Sequence, residues 1–240
     1  MDNDILHRVR VLDFTTTIAG PHCTRLLADL GADVVKIEAP DGELMRTRPP
    51  LRDGVSSYFG QLNAGKRSLV LDLKQPAAVD IVKRAGRRRR SRGGEFPAGR
   101  DEAARASTTS PSSAVRPDLV FCAMSGYGQT GPSSGLPAYA PVIHAASGYD
   151  LAHLSYQHGR TRPDNNGVFI ADVLTGTYAF GAIAAALYHR RVTGRGQMVD
   201  VSMLESMLTM TLSEVQRAQF GHARLPAGRC SGRCRPATAI

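Results

Sequence analysis

The strongest constraint on this chain lies in its first forty residues. Residues 9–14 (VRVLDF) form a short β-type run, residues 23–30 carry Leu26, Leu27 and Leu30 at helical spacing, and residues 32–38 (ADVVKIE) form a second apolar run. Short apolar runs bounded by turn residues read as strands, and a 3.6-residue apolar period reads as a helix. Gly31 stands where a left-handed C-cap would end that helix. Strand, helix and strand in such quick succession predict a βαβ unit, and hence an α/β fold on a parallel sheet.

The same reading extends along the chain. Residues 40–54 are rich in Pro and Gly and predict a loop, residues 68–73 (SLVLDL) a third strand, and Pro76 the first turn of a helix reaching about Ala85. Residues 119–124 predict a strand followed by a loop with Gly126, Gly128 and Gly131, which reads as a turn. Residues 174–188 predict an apolar helix rich in small residues, and residues 197–201 a strand. Residues 202–220 predict one amphipathic helix whose Met203, Met207 and Met210 pack in the core. Residues 86–114 predict nothing folded: an arginine run, then Gly-Gly, then ASTTSPSSA. The chain therefore divides into residues 1–85, an anomalous basic segment 86–114, a folded continuation 115–220 and an irregular tail 221–240.

The net charge of +9 invites a nucleic-acid reading, so its distribution matters. Of thirty basic and twenty-one acidic residues, nine and three fall between Lys83 and Arg105, and four and none after residue 220. The remaining seventeen and eighteen nearly cancel, so the basicity belongs to two short segments. The run Arg87–Arg90 has no interleaved aromatics and no binding motif, which argues against a nucleic-acid partner. No unbroken run of eighteen apolar residues is present, so no membrane span is expected. The first ten residues lack an apolar leader core, and a cytoplasmic location is the expectation. Cys23, Cys122, Cys230 and Cys234 are expected to be free thiols, because the closely spaced Cys230 and Cys234 have no second pair of ligands; no metal site is expected.

Five segments, in order, carry a resemblance to a known family: residues 11–38, 63–74 (NAGKRSLVLDLK), 117–132 (PDLVFCAMSGYGQTGP), 170–187 (IADVLTGTYAFGAIAAAL) and 193–206 (TGRGQMVDVSMLES). Together they resemble CoA-transferase family III, which includes formyl-CoA and carnitine-CoA transferases and 2-methylacyl-CoA racemase. The resemblance implies a Rossmann-like large domain, incomplete in this chain, plus a small domain that is absent, in an interlocked homodimer. It implies no permanently bound cofactor, with coenzyme A and acyl-CoA as substrates and a carboxylic acid as acceptor. It also implies a carboxylate that attacks the thioester, forms a mixed anhydride and then an enzyme–CoA thioester.

Residue by residue, Asp172 matches the nucleophilic Asp in an A-D-x-x-x-G pattern closed by Gly176. An ionised carboxylate can serve as a covalent nucleophile, and a helix N-terminus favours the anion. Without the family, an ordinary helix N-cap would be the preferred reading. Ile18 and Ala19, before Gly20-Pro21, match a loop whose backbone meets CoA. Leu71, Asp72, Leu73 and Lys74 match a strand end lining the adenosine-phosphate region, with Lys74 as a possible phosphate partner or a plain surface lysine. Arg67 reads as structural. Tyr139 takes a position held by an acid/base histidine in the racemase branch, which favours transfer over racemisation. His144 is not at that position and reads as a packing or surface histidine.

Two departures are informative. Where the family has an E-N-F-x-P-G motif that also touches CoA, residues 93–102 read GGEFPAGRDE. Codons exist for this stretch from which the loss of one base yields E-N-F-R-P-G-V-M. Codons also exist for the tail from which the loss of two bases yields R-P-L-F-G-P-V-Q-A-R-D-G. Both basic anomalies thus read as frameshifted sequence, and the expectation is a chain with little or no transferase activity on its own.

Overall fold

The computed structural model describes residues 4–87, 97–98, 117–157, 159–164 and 167–221. Its centre is a six-stranded sheet. The strands are β1 (Arg10–Asp13), β2 (Asp33–Glu38), β5 (Arg67–Val70), β6 (Pro97–Ala98), β7 (Phe121–Ser125) and β8 (Met198–Ser202). They lie in the order β5-β2-β1-β6-β7-β8, and every pairing is parallel. Counted along this sheet alone, that is the 3-2-1-4-5-6 arrangement of a doubly wound Rossmann-like fold, whose strand order reverses between β1 and β6. A separate antiparallel ribbon pairs β3 (Leu51–Arg52) with β4 (Val55–Ser56).

The opening βαβ unit forms as its pattern predicts. β1 and β2 are buried almost throughout, as strands covered on both faces must be. Helix α1 (Ala19–Asp29) connects them and starts four residues before the predicted helix. It ends in a Schellman motif: the Gly31 N–H donates to the Ala28 carbonyl, the Ala32 N–H donates to the Leu27 carbonyl, and Gly31 takes φ 89°.

Helices α2 (Ser57–Asn63) and α3 (Pro76–Arg87) follow, then α4 (Ala140–Ala146), α5 (Tyr149–Leu154), α6 (Ile170–Thr193), α7 (Met203–Leu208) and α8 (Leu212–Phe220). The predicted helix at 202–220 is two helices. The Thr209 hydroxyl donates to the Ser206 carbonyl and the Thr211 hydroxyl to Leu208, a local competition that interrupts the ladder. Met203 and Met207 are buried as expected, whereas Met210 lies at the break and is half exposed. The main core joins Val11, Leu27, Val34, Val120, Val199 and Ile183, so α1 and α6 cover one face of the sheet together. On the other face Leu12, Phe14 and Ile37 pack against Val82 of α3.

One expectation for residues 86–114 is corrected. Pro97 and Ala98 form the strand between β1 and β7, pairing Pro97 with Leu12, and Ala98 with both Asp13 and Cys122. Backbone pairing asks nothing of side-chain polarity, so a segment with no apolar pattern can still fill that slot. Arg87 also belongs to α3, two residues beyond the predicted end. The rest of the arginine run, Cys230, Cys234 and the tail after residue 221 lie outside the described residues.

Among the described residues α6 alone is long and apolar enough to cross a membrane. Thr and Gly interrupt its apolar run, which is why no unbroken stretch marks it in the sequence. Its Ala179, Ile183 and Ala186 are fully buried against α1 and the sheet, the placement of a core helix.

Candidate active site

In a doubly wound sheet the crevice beyond the carboxyl ends of the strands, at the point of order reversal, is where loops converge. Here that point follows β1, and the residues leading from β1 into α1 are 14–18. Gly20 is required for that turn: a Cβ there would overlap the Thr15 side chain.

Asp172 belongs to the first turn of α6, two residues inside it. Phe169 holds the N-cap position with no side-chain capping bond, so the N-cap reading of Asp172 is not what forms. The helix starts at Ile170 rather than Leu174 because its first turn is held from outside. His144, 1% exposed, accepts the Ala171 N–H at its Nε2 at 3.2 Å. That bond requires Nε2 to be unprotonated, and burial holds the His144 pKa below the usual histidine value, against the pull of Asp150. His144 is thus a packing histidine that also stabilises the turn carrying Asp172. Burial pushes the Asp172 carboxyl up to about 6, opposed by a backbone hydrogen bond. Its charge in turn pushes the Tyr58 phenol up, after burial, so Tyr58 of α2 faces the same space.

The A-D-x-x-x-G spacing has a physical reading. Asp172 and Gly176 are one helical turn apart on one face of α6. A Cβ on Gly176 would lie 2.5 Å from the Ala19 carbonyl oxygen and 2.9 Å from His22 Cδ2. The missing side chain therefore lets the start of α1 lie directly against α6. Ile18 shares a buried cluster with Met45 and Leu62, onto which Tyr58 and Phe169 pack. The fold thus gathers Asp172, Tyr58, Ile18 and Ala19 at the carboxyl edge.

The other candidates are placed differently. Leu71 and Leu73 follow β5 at the same sheet edge, but their side chains pack into the α3 cluster. Leu71 also lines an apolar cavity of about 330 Å³ whose wall includes Arg10, Arg67 and Val82 and does not include Asp172. Asp72 closes its own turn, accepting the Lys74 N–H at 3.1 Å and the Gln75 side-chain amide at 3.2 Å. Lys74 is exposed. Tyr139 is 71% exposed and forms the N-terminal boundary of α4, the helix that carries His144. Arg67, which is exposed, pairs with Asp33. The glycine loop is a turn packed by its own surroundings: a Cβ on Gly126 would overlap Ala138, and the Gln129 N–H donates to Asp200 at 2.9 Å.

A buried polar network beneath the β1–α1 loop has no counterpart in the sequence reading. Asp13, fully buried, accepts from Thr15, from the Thr24 hydroxyl at 2.7 Å and from Lys66 Nζ at 3.1 Å. The Lys66 and Lys36 ammoniums and those hydroxyls hold the Asp13 carboxyl below the ordinary range although its burial acts the other way. Lys66 also donates to the Pro21 carbonyl and the Asn63 side chain. No local pattern reveals such a group, because Asp13 and Lys66 are 53 residues apart.

Comparison with known proteins bears on the whole arrangement. The sequence profile of CoA-transferase family III matches residues 6–86 and 101–240. It omits residues 87–100, which contain the whole arginine run Arg87–Arg90, but includes residues 101–114 and the tail. The chain is 34% identical over 250 residues to a formyl-CoA:oxalate CoA-transferase of Streptomyces coelicolor, covering 98% of this chain and 60% of that protein. It is 35% identical over 220 residues to the human succinyl-CoA:glutarate CoA-transferase, covering 85% of this chain and 46% of the relative. A CAIB/BAIF family protein from Brucella suis superposes with a TM-score of 0.74 at 27% identity, covering 92% of this chain and 59% of that one. The chain spans about half the length of such curated relatives.

Proposed function

Since this chain belongs to CoA-transferase family III, we propose that it carries the nucleophile-bearing part of an acyl-CoA transferase that moves CoA from an acyl-CoA donor to a carboxylic acid acceptor. The observation that carries the reading is Asp172: a half-buried carboxylate with its pKa raised to about 6, on the turn packed against the Ile18–Ala19 loop. At neutral pH such a group is mostly ionised yet poorly solvated, which suits a nucleophile.

In this reading an Asp172 oxygen attacks the thioester carbonyl, the C–S bond breaks and CoA leaves as thiolate. The thiolate then attacks the Asp172 carbonyl of the anhydride, releasing the donor acid and leaving CoA on Asp172. The acceptor carboxylate reverses both steps and restores the free Asp172. Ile18 and Ala19 offer backbone to the thioester, Leu71–Lys74 lie toward the adenosine-phosphate end with Lys74 as a point charge, and Tyr139 borders the acyl side. Formyl, oxalyl, succinyl and glutaryl groups define the class of short acids to try, because the relatives' names carry them. A cytoplasmic enzyme acting as an interlocked homodimer, with neither nucleic acid nor membrane as partner, completes the proposal.

The test is covalent trapping. The protein is mixed with succinyl-CoA or formyl-CoA, quenched and digested, and the peptide spanning Asp172 is weighed. A CoA or acyl increment that Asp172→Ala removes supports the reading; the same increment in the variant, or on another residue, sinks it. The racemase alternative is separated by deuterium uptake at the substrate α-carbon, which a transferase with tyrosine at 139 does not catalyse.

A further inference from the structure

The loop from β1 to α1 contains a backbone conformation that the chemistry above leaves unused. Thr17 has φ 72°. The left-handed region is unfavourable for a β-branched residue, and such conformations persist only where the surroundings hold them. The holding group is visible: the Thr17 N–H donates to Glu43 Oε1 at 2.7 Å. Glu43 comes from the start of the excursion after β2, 26 residues from Thr17 in sequence.

Glu43 is itself held. Its Oε2 lies 2.6 Å from Lys36 Nζ, and both side chains are 2% exposed. Lys36 Nζ donates to the Thr15 carbonyl at 2.7 Å, while the Thr15 N–H and hydroxyl both donate to Asp13. The loop is therefore gripped at Thr15 from two sides and at Thr17 from a third. The segment bearing Glu43 is pinned in turn: Arg46 makes two 2.7 Å bonds to Glu38 at the end of β2 and stacks over Phe59. A buried ion pair adds little net stability over apolar side chains of the same shape. Its distinctive contribution here is geometric, a charge-assisted bond to one backbone amide.

We propose that Glu43 is a positioning residue for the thioester-binding loop: the Lys36–Glu43 pair clamps Thr17 in its left-handed conformation and so aims the Ile18–Ala19 backbone at the site of Asp172. The loop's role rests on the function proposed above; the clamp does not. Without the Glu43 acceptor Thr17 relaxes to negative φ and Ile18 leaves its place beside Met45 and Leu62.

The experiment compares two double variants of the full chain. Lys36→Met/Glu43→Gln removes both charges and keeps an acceptor for Thr17. Lys36→Met/Glu43→Leu removes the acceptor as well. Amide exchange without ligand and CoA affinity by calorimetry are read on each. The Thr17 amide stays protected in the Gln form and exchanges freely in the Leu form, and the Leu form binds CoA about tenfold more weakly. Adding Thr17→Gly to the Leu form recovers most of that loss, because glycine takes positive φ without cost. Equal protection and equal affinity in the two forms, or no recovery with glycine, overturn the clamp. An unprotected Thr17 amide in the wild-type chain overturns it whatever the variants do, so it is decided even where the Leu form fails to fold. A wild-type chain that does not bind CoA while Thr17 is protected counts against the functional reading and supports the clamp.

Discussion

At the scale of single residues, the groups around Asp172 set opposite pH responses. Burial raises the Asp172 pKa from 3.8 to about 6, so the folded state disfavours its charge. Its penalty is absent below the unfolded pKa and grows as pH rises through about 6. Asp172→Asn should therefore stabilise the chain by about 2 kcal/mol at pH 7 and by little at pH 4, read from chemical denaturation at both values. The same variant should remove any acylation, whose rate in the parent rises with pH about a midpoint near 6. His144 acts the other way. Its pKa is lowered in the folded state, so stability is full above the usual histidine value and declines as pH falls below it. His144→Ala should cost about 2–3 kcal/mol at pH 7 through the lost bond to Ala171 and the cavity it leaves, and should flatten that acid decline. Legibility at this scale was uneven. Asp172 is singled out by the motif around it, since an isolated Asp before an apolar helix reads as a cap. Glu43, Lys36 and Lys66 are not legible because their partners Thr17, Thr15 and Asp13 lie 26, 21 and 53 residues away, across loops that carry no period.

At the scale of elements, the fold rests on one close approach between helices. α1 and α6 meet where Gly176 carries no side chain, with the Ala19 carbonyl 2.5 Å from the position a Cβ would take. That partner is backbone and cannot swing aside, so Gly176→Ala should lower stability by about 2–3 kcal/mol and shift α1, which a thermal melt and the chemical shifts of residues 19–23 would register. Gly181 on the same helix has open space at its Cβ, and Gly181→Ala serves as the control, expected to be neutral or slightly stabilising. The strand–helix–strand opening was legible because burial on both faces forces an unbroken apolar run and because glycine marks the helix end. The break at Thr209–Thr211 was not, since threonine hydroxyls compete with the helix only where nothing packs against the second half, and α8 has no buried residue.

At the scale of the molecule, the chain has the sheet and the turn that carries Asp172 but spans only about half the length of its curated relatives. One flank of α6 exposes Val173, Tyr178, Tyr188 and Val192. Paired copies would cover such a strip, so the chain should sediment above its 25.7 kDa monomer mass, and Tyr188→Lys/Val192→Lys should shift it toward the monomer. Resequencing the gene through codons 85–114 tests whether a shifted frame accounts for the arginine run; an uninterrupted frame ends that idea. The two-residue strand β6 bears on how the molecule gives way under load. Among the described residues Pro97 and Ala98 bridge β1 to β7, and Pro97 has no N–H to lend to the ladder. Among the described residues the sheet thus carries a seam there, with β5-β2-β1 on one side and β7-β8 on the other, crossed by α1 packed against α6. Pulled or warmed, the molecule should tear along that seam into two unequal panels before either panel loses its own strands, and pulse-labelled exchange would find the panels opening at different rates.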